Sequence, residues 1–143
     1  MAGPQFVTPP GVTPSRPKRR FTLEQANRAL TYVGRIVADI VQSHHTVITL
    51  QGTLEDLRGA AATATEKQLG YTLDRLQILV DELSGVGCEL KDYEIGLVDF
   101  VGRHQGRDIY LCWKLGEPRI AYWHELKTGY AGRQPISILE ERD

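Results

Sequence analysis

Apolar residues recur at spacings of three, four and seven from Leu23 to Leu83, and from Leu97 onward they alternate with polar ones. The first spacing draws a stripe along one side of a helix, whereas alternation sends side chains to the two faces of a strand. The change after Ser84 therefore divides the chain into a helical first part and a sheet-forming second part.

The first helix has a clean start. Thr22 can cap the exposed amides while Gln25, three positions on, returns the bond, and Phe21 can pack against Ala26. Leu23, Leu30, Val33, Val37, Ile40, His44 and Val47 continue the stripe towards Leu50, where Gly52 and Thr53 read as the interruption. A second helix runs from Thr53 to Leu83 through Leu57, Leu69, Leu73, Leu76 and Val80, with Gly59 and Gly70 as its weak points. Ser84-Gly85-Val86-Gly87 closes it. Two long helices with a tight connection form an antiparallel hairpin. The apolar surplus at Ile36, Ile40, Val47, Ile48 and Leu50 argues for a homodimer through that hairpin, in a bundle or coiled-coil arrangement, over a monomer covered by its own sheet.

After a polar connector over 88–94, strands are expected at 97–101, 107–115 and 120–126, separated by reversals at Gly102 to Gly106 and at Glu117-Pro118. The fold class is α+β: a long antiparallel α-helical hairpin over 22–84, then a small three-stranded antiparallel β-meander. The sheet and a loop-like tail that can fold back over it span 95–138. In the second strand Ile109, Leu111 and Trp113 share one face, and Tyr110, Cys112 and Lys114 the other.

At 143 residues the chain fits one domain over 21–143. Residues 1–20 hold five of the seven prolines and a basic run, and read as a disordered arm. A nucleic-acid contact through Arg16, Lys18, Arg19 and Arg20 would be weak and salt-sensitive, so a solubilising role is favoured. With 17 basic against 18 acidic residues, the net charge of -1 marks neither a nucleic-acid coat nor a strongly anionic surface. No apolar run is long enough to span a membrane, and two cysteines are too few for a disulfide scaffold. A reduced cytoplasmic setting is expected.

The segments FTLEQANRAL, GLVDF, YLCWKLGEP, YWHE and GYAGRQPI together resemble a prokaryotic domain-of-unknown-function family, number 2203, over residues 21–136. The resemblance implies no activity. It implies which positions characterise that family: Gly96, Leu97, Val98, Asp99 and Phe100, then Leu111, Cys112, Trp113, Gly116 and Glu117, then Trp123, His124, Gly132 and Arg133.

Nothing in the chain matches a motif that names a reaction. A metal site would use Cys112 and His124 with Asp99 or Glu117, ligand types suited to zinc or iron. If the second reversal pairs Cys112 with His124, alternation puts both on one face, and a slip of one residue separates them. Against this stand the absence of CxxC, HxH and HExxH and the habit of a lone cysteine beside tryptophan to be a small core residue. A cysteine-dependent hydrolase, with His124 as base oriented by Glu125 or Asp99, uses the same residues, but Cys112 sits inside a strand rather than at a sharp turn. A polar cluster of Asp99, Arg107, Glu117, His124 and Arg133, walled by Trp113, Trp123, Tyr110 and Tyr122, would bind a small ligand or fix the tail onto the sheet. The structural role is preferred, so the chain reads first as a structural or interaction protein. His44 reads as an interface histidine on the helical stripe. RNA stacking is disfavoured by Asp99, Glu117 and Glu125 beside the aromatics, and no phosphate-cradling glycine motif is present.

Overall fold

In the computed structural model, residues 19–137 are described. Residues 1–18, which carry most of the expected arm, and the last expected tail residue, 138, lie outside them. Helix α1 spans Leu23–Leu54 and helix α2 spans Gly59–Val86. Thr22 caps α1 as expected: the Gln25 amide donates to the Thr22 hydroxyl at 3.0 Å, and the Thr22 amide donates to the Gln25 side chain at 2.9 Å. The reversal falls later than the sequence suggested. Helix α1 runs through Gly52, which is exposed and costs only backbone entropy, and the chain turns over 55–58 into Gly59 at φ +63°, a left-handed value that glycine adopts without strain.

Five antiparallel strands follow in sequence order: β1 Glu89–Asp92, β2 Leu97–His104, β3 Arg107–Lys114, β4 Tyr122–His124 and β5 Gln134–Pro135. The three expected strands form the centre of this meander, the first extended through Gly102 to His104, which were expected in the turn but pair with β3, and the third trimmed to three residues. The two added strands flank it. The segment 89–92, expected as a connector, pairs with β2, and the returning tail pairs with β4. Both are too short to show a periodicity of their own and are held by their neighbours' backbone groups.

The hairpin packs on one face of the sheet. Val33, Val37 and Ile40 of α1 and Leu76, Val80 and Leu83 of α2 join Val98, Phe100, Ile109, Leu111, Trp113 and Trp123 in one buried cluster. Two contacts set how closely α1 lies on the strands. The Asn27 side chain accepts from the Ile120 amide at 2.7 Å, and Gly96, at φ +72°, leaves room where a Cβ would stand 2.8 Å from Leu115 and 2.9 Å from Val37. Ile36, Ile40 and Val47, counted in sequence as surplus stripe, are buried in the chain's own core. The large apolar side chains left in the open on the hairpin are Tyr32, Ile48, Tyr71 and Ile78.

Arg20 bridges to Val101 and forms an ion pair with Asp108 at 2.8 Å, while the Arg19 guanidinium lies 4.5 Å over the Phe21 ring. These two arginines are thus occupied within the chain. No helix among the described residues is long and apolar enough to cross a membrane.

Candidate metal centre on the outer face of the sheet

Alternation leaves the sheet face away from the hairpin with a different chemistry. Strand β2 sends Asp99 there and β3 sends Tyr110 and Cys112. Strand β4 adds Tyr122 and His124, and β1 adds Glu89 and Lys91. Asp99 lies directly across from Cys112 in the β2–β3 ladder and from Glu89 in the β1–β2 ladder. In the β3–β4 ladder His124 stands opposite Tyr110, and Cys112 stands opposite Tyr122. Cys112 and His124 are therefore diagonal neighbours rather than a direct pair. The offset from the direct pairing is two residues, which preserves the face.

Three of these side chains converge. Donor atoms, one each from Asp99, Cys112 and His124, lie within 4.8 Å of one another, a grouping that could hold a metal ion, and each of the three residues is almost wholly buried. His124 is held at both ring nitrogens. Nδ1 is 2.7 Å from the Glu125 carbonyl oxygen, and Nε2 is 3.1 and 3.2 Å from the two Asp99 oxygens. A carbonyl only accepts, so Nδ1 carries a hydrogen and Nε2 is the nitrogen turned to Asp99 and Cys112. Burial opposes charge on the ring, but the hydrogen bonds to Asp99 and to the Glu125 carbonyl outweigh it and raise the imidazole above its ordinary value. Burial, and then the Asp99 charge, push the Cys112 thiol up to about 12. A buried thiol of that kind is a poor nucleophile, which argues against a cysteine-dependent hydrolase.

Around the trio lies a ring of compensating groups. Lys91 pairs with Glu89 at 2.8 Å and lies 4.9 Å over the Tyr110 ring, and the Tyr110 hydroxyl donates to Glu89 at 3.2 Å. On the Cys112 side the Arg133 guanidinium lies 4.1 Å over the Tyr122 ring and 4.8 Å over that of Tyr130. Its Nη2 donates to Glu117 at 2.8 Å and to the Cys112 carbonyl at 3.4 Å.

The residues singled out from sequence thus separate into three places. Asp99, Cys112 and His124 come together. Glu117 and Arg133 are adjacent to them but bound to each other. Glu117 also accepts from the Lys114 amide at 2.8 Å, so its carboxylate closes the 114–117 turn and anchors the tail. Arg107 is drawn to Glu125 at 2.6 Å at the edge of the sheet. Trp113 points into the hairpin core, with its Nε1 donating to the Glu117 carbonyl at 2.9 Å, and Trp123 is buried in the same cluster. The walls available to the site are therefore Tyr110, Tyr122 and Tyr130.

Glu89 and Lys91 were missed because they lie in the segment read as a connector. The polar-apolar-polar order of Glu89, Leu90 and Lys91 is the signal that could have found them, although three residues carry little periodicity. Cys88 is buried beside the end of α2, its thiol also pushed up to about 12 by burial. His44 packs edge-on against Tyr93 at 5.3 Å and lines an open groove with His45, Ile48 and Glu94.

A family model described as "Uncharacterized conserved protein (DUF2203)" matches residues 19–136. No curated protein and no solved structure matches the chain.

Proposed function

The chain belongs to the DUF2203 family of uncharacterized conserved proteins, and since membership brings no activity with it, we propose from the site alone that the protein binds one divalent transition metal, zinc or iron. Asp99, Cys112 and His124 supply one oxygen, one sulfur and one nitrogen, a donor set suited to a borderline cation. The observation that carries the reading is the His124 Nδ1 bond to the Glu125 carbonyl. A ligating histidine usually anchors its other ring nitrogen in this way, which fixes the tautomer and aims the remaining lone pair at the metal. Binding a metal there would displace the Cys112 thiol proton and the Nε2 proton of a charged His124 to solvent, leaving the Cys112 sulfur, the His124 Nε2 and an Asp99 oxygen as the donors.

The Glu117 and Arg133 pair has the structural role in this reading. It holds the returning tail over the Cys112 side of the site. The test is elemental analysis and native mass spectrometry of protein purified without a metal-affinity tag, followed by Co2+ titration of the stripped chain. One metal per chain, lost in D99N and H124A, is expected. A stripped wild-type chain that takes up no Co2+ under any buffer condition from pH 6 to 8 sinks the proposal.

Self-association is a second and separate reading, favoured by Tyr71 and Ile78. They are 67% and 63% exposed and stand seven residues apart, hence on one side of α2. Sedimentation equilibrium at tens of micromolar should return dimer mass for wild type and monomer mass for Y71E/I78E. A wild-type monomer at that concentration removes this reading and leaves the metal proposal untouched.

A further inference from the structure

Arg133 has more donors than its surroundings use. Its side chain is 12% exposed, and its two Nη2 bonds reach Glu117 and the Cys112 carbonyl, yet its Nε is buried with no hydrogen-bond partner among the described residues. A guanidinium carries five N–H donors in a rigid plane, and a buried donor without an acceptor is rare in a well-packed face. The plane cannot turn away to find water, because Tyr122 and Tyr130 both stack against it and Glu117 pins one end.

The Arg133 Nη2 donates to the Cys112 carbonyl at 3.4 Å, which sets the guanidinium against the strand residue that carries the thiol. A neutral thiol accepts weakly, whereas a metal-bound thiolate is a stronger acceptor with a formal charge.

Resting on the metal reading above, we infer that Arg133 is the positioning residue for the metal's thiolate ligand, so that the tail carrying it tightens onto the sheet when metal binds. On loading, the Cys112 sulfur–hydrogen bond breaks, its proton leaves to buffer, the sulfur bonds the metal, and a guanidinium N–H donates to the sulfur. Oxidation states do not change. Tyr130 and Arg133 lie in the segment between Thr128 and β5, and this segment is the part of the chain that should respond.

The experiment uses Co2+ as probe on the full stripped chain. In wild type, Co2+ should produce a sulfur-to-cobalt charge-transfer band and slow amide hydrogen exchange over residues 128–136. R133Q should bind Co2+ about tenfold to a hundredfold more weakly, the usual cost of losing a group that supports a ligand, with a shifted charge-transfer band and no added protection of the tail. R133K, which keeps charge but not the planar fork, should fall between them. Equal Co2+ affinity and an unchanged band in R133Q overturn the inference while leaving the metal site standing. Should R133Q fold poorly, the wild-type exchange measurement decides alone: no change over 128–136 on loading overturns the inference. Failure of wild type to bind Co2+ removes both proposals together.

Discussion

His124→Ala and Asp99→Asn should remove metal binding alike but differ sharply in their effect on the stripped protein. Alanine at 124 takes the imidazole away from a carboxylate whose side chain is 3% exposed, leaving a buried charge without its ring partner. Breaking a buried pair from one side costs about 3–5 kcal/mol. The Lys91 charge, which reaches Asp99, and the nearby Cys112 thiol soften the loss, so the lower end applies, about 3 kcal/mol. For a domain of this size that is a fall of roughly 10 °C in Tm. Asparagine at 99 behaves differently. With Nδ1–H committed to the Glu125 carbonyl, a neutral His124 presents Nε2 as an acceptor, and the asparagine amide can donate to it. Both partners stay satisfied, and the cost should be within about 1 kcal/mol. Thermal melts and urea titrations of EDTA-treated proteins at pH 6 measure the difference. The sign of its pH dependence follows from the raised imidazole value: the charged pair contributes fully below the ordinary 6.5, and its contribution is lost as pH rises through the higher folded value. The gap between wild type and H124A should therefore narrow towards alkaline pH. D99N destabilised as strongly as H124A, or H124A melting within about 2 °C of wild type, would refute the assignment of the ring hydrogens and of the buried pair.

The remaining expectations concern the frame around the site. Burial pushes the Glu117 carboxyl up, but the Arg133 hydrogen bond and the Lys114 amide outweigh it and hold it below its ordinary 4.5. Its contribution to stability is present above that value and is lost as pH falls through the lower folded value, a loss that urea midpoints for E117Q should not show. Gly96→Ala combines a left-handed φ with a Cβ driven into Leu115 and Val37, so it should cost about 2–3 kcal/mol by urea unfolding; a loss under about 0.5 kcal/mol would mean the strand start shifts freely away from α1. Ile40 is fully buried in the chain's own core. I40D should therefore unfold the domain, seen as lost tertiary circular dichroism, rather than yield folded monomers from a dimer.

The candidate site was legible as a face, but its geometry was not. The alternation of β3 already placed Cys112 apart from Trp113, and the polar residues of GLVDF and YWHE pointed to the same sheet. Trp113 could still be imagined as a wall because nothing local says which face the helices cover. Only the packed core, where Trp113 and Trp123 sit with Val33 and Leu83, decides that. Arg107 shows the same limit in another form. Its charge fitted a ligand cluster, yet the β3–β4 pairing brings Glu125 within reach and removes it from the centre.

What the chain determined by itself is what depends on neighbours in sequence: the Thr22 cap, the helical stripe, the halt at Gly87, the alternating strands and the tight turns between them. These follow from backbone geometry at separations of one to four residues. Tertiary structure decided the register that sets His124 opposite Tyr110, the recruitment of β1 and β5 at the edges, and the convergence of Asp99, Cys112 and His124 from three strands. Pairing between strands depends on hydrogen bonds and packing across the whole sheet, and slips of two residues keep the same hydrophobic pattern. A one-dimensional pattern can therefore assign the face on which a metal ligand lies, while the distance between two ligands is fixed only when the strands have docked.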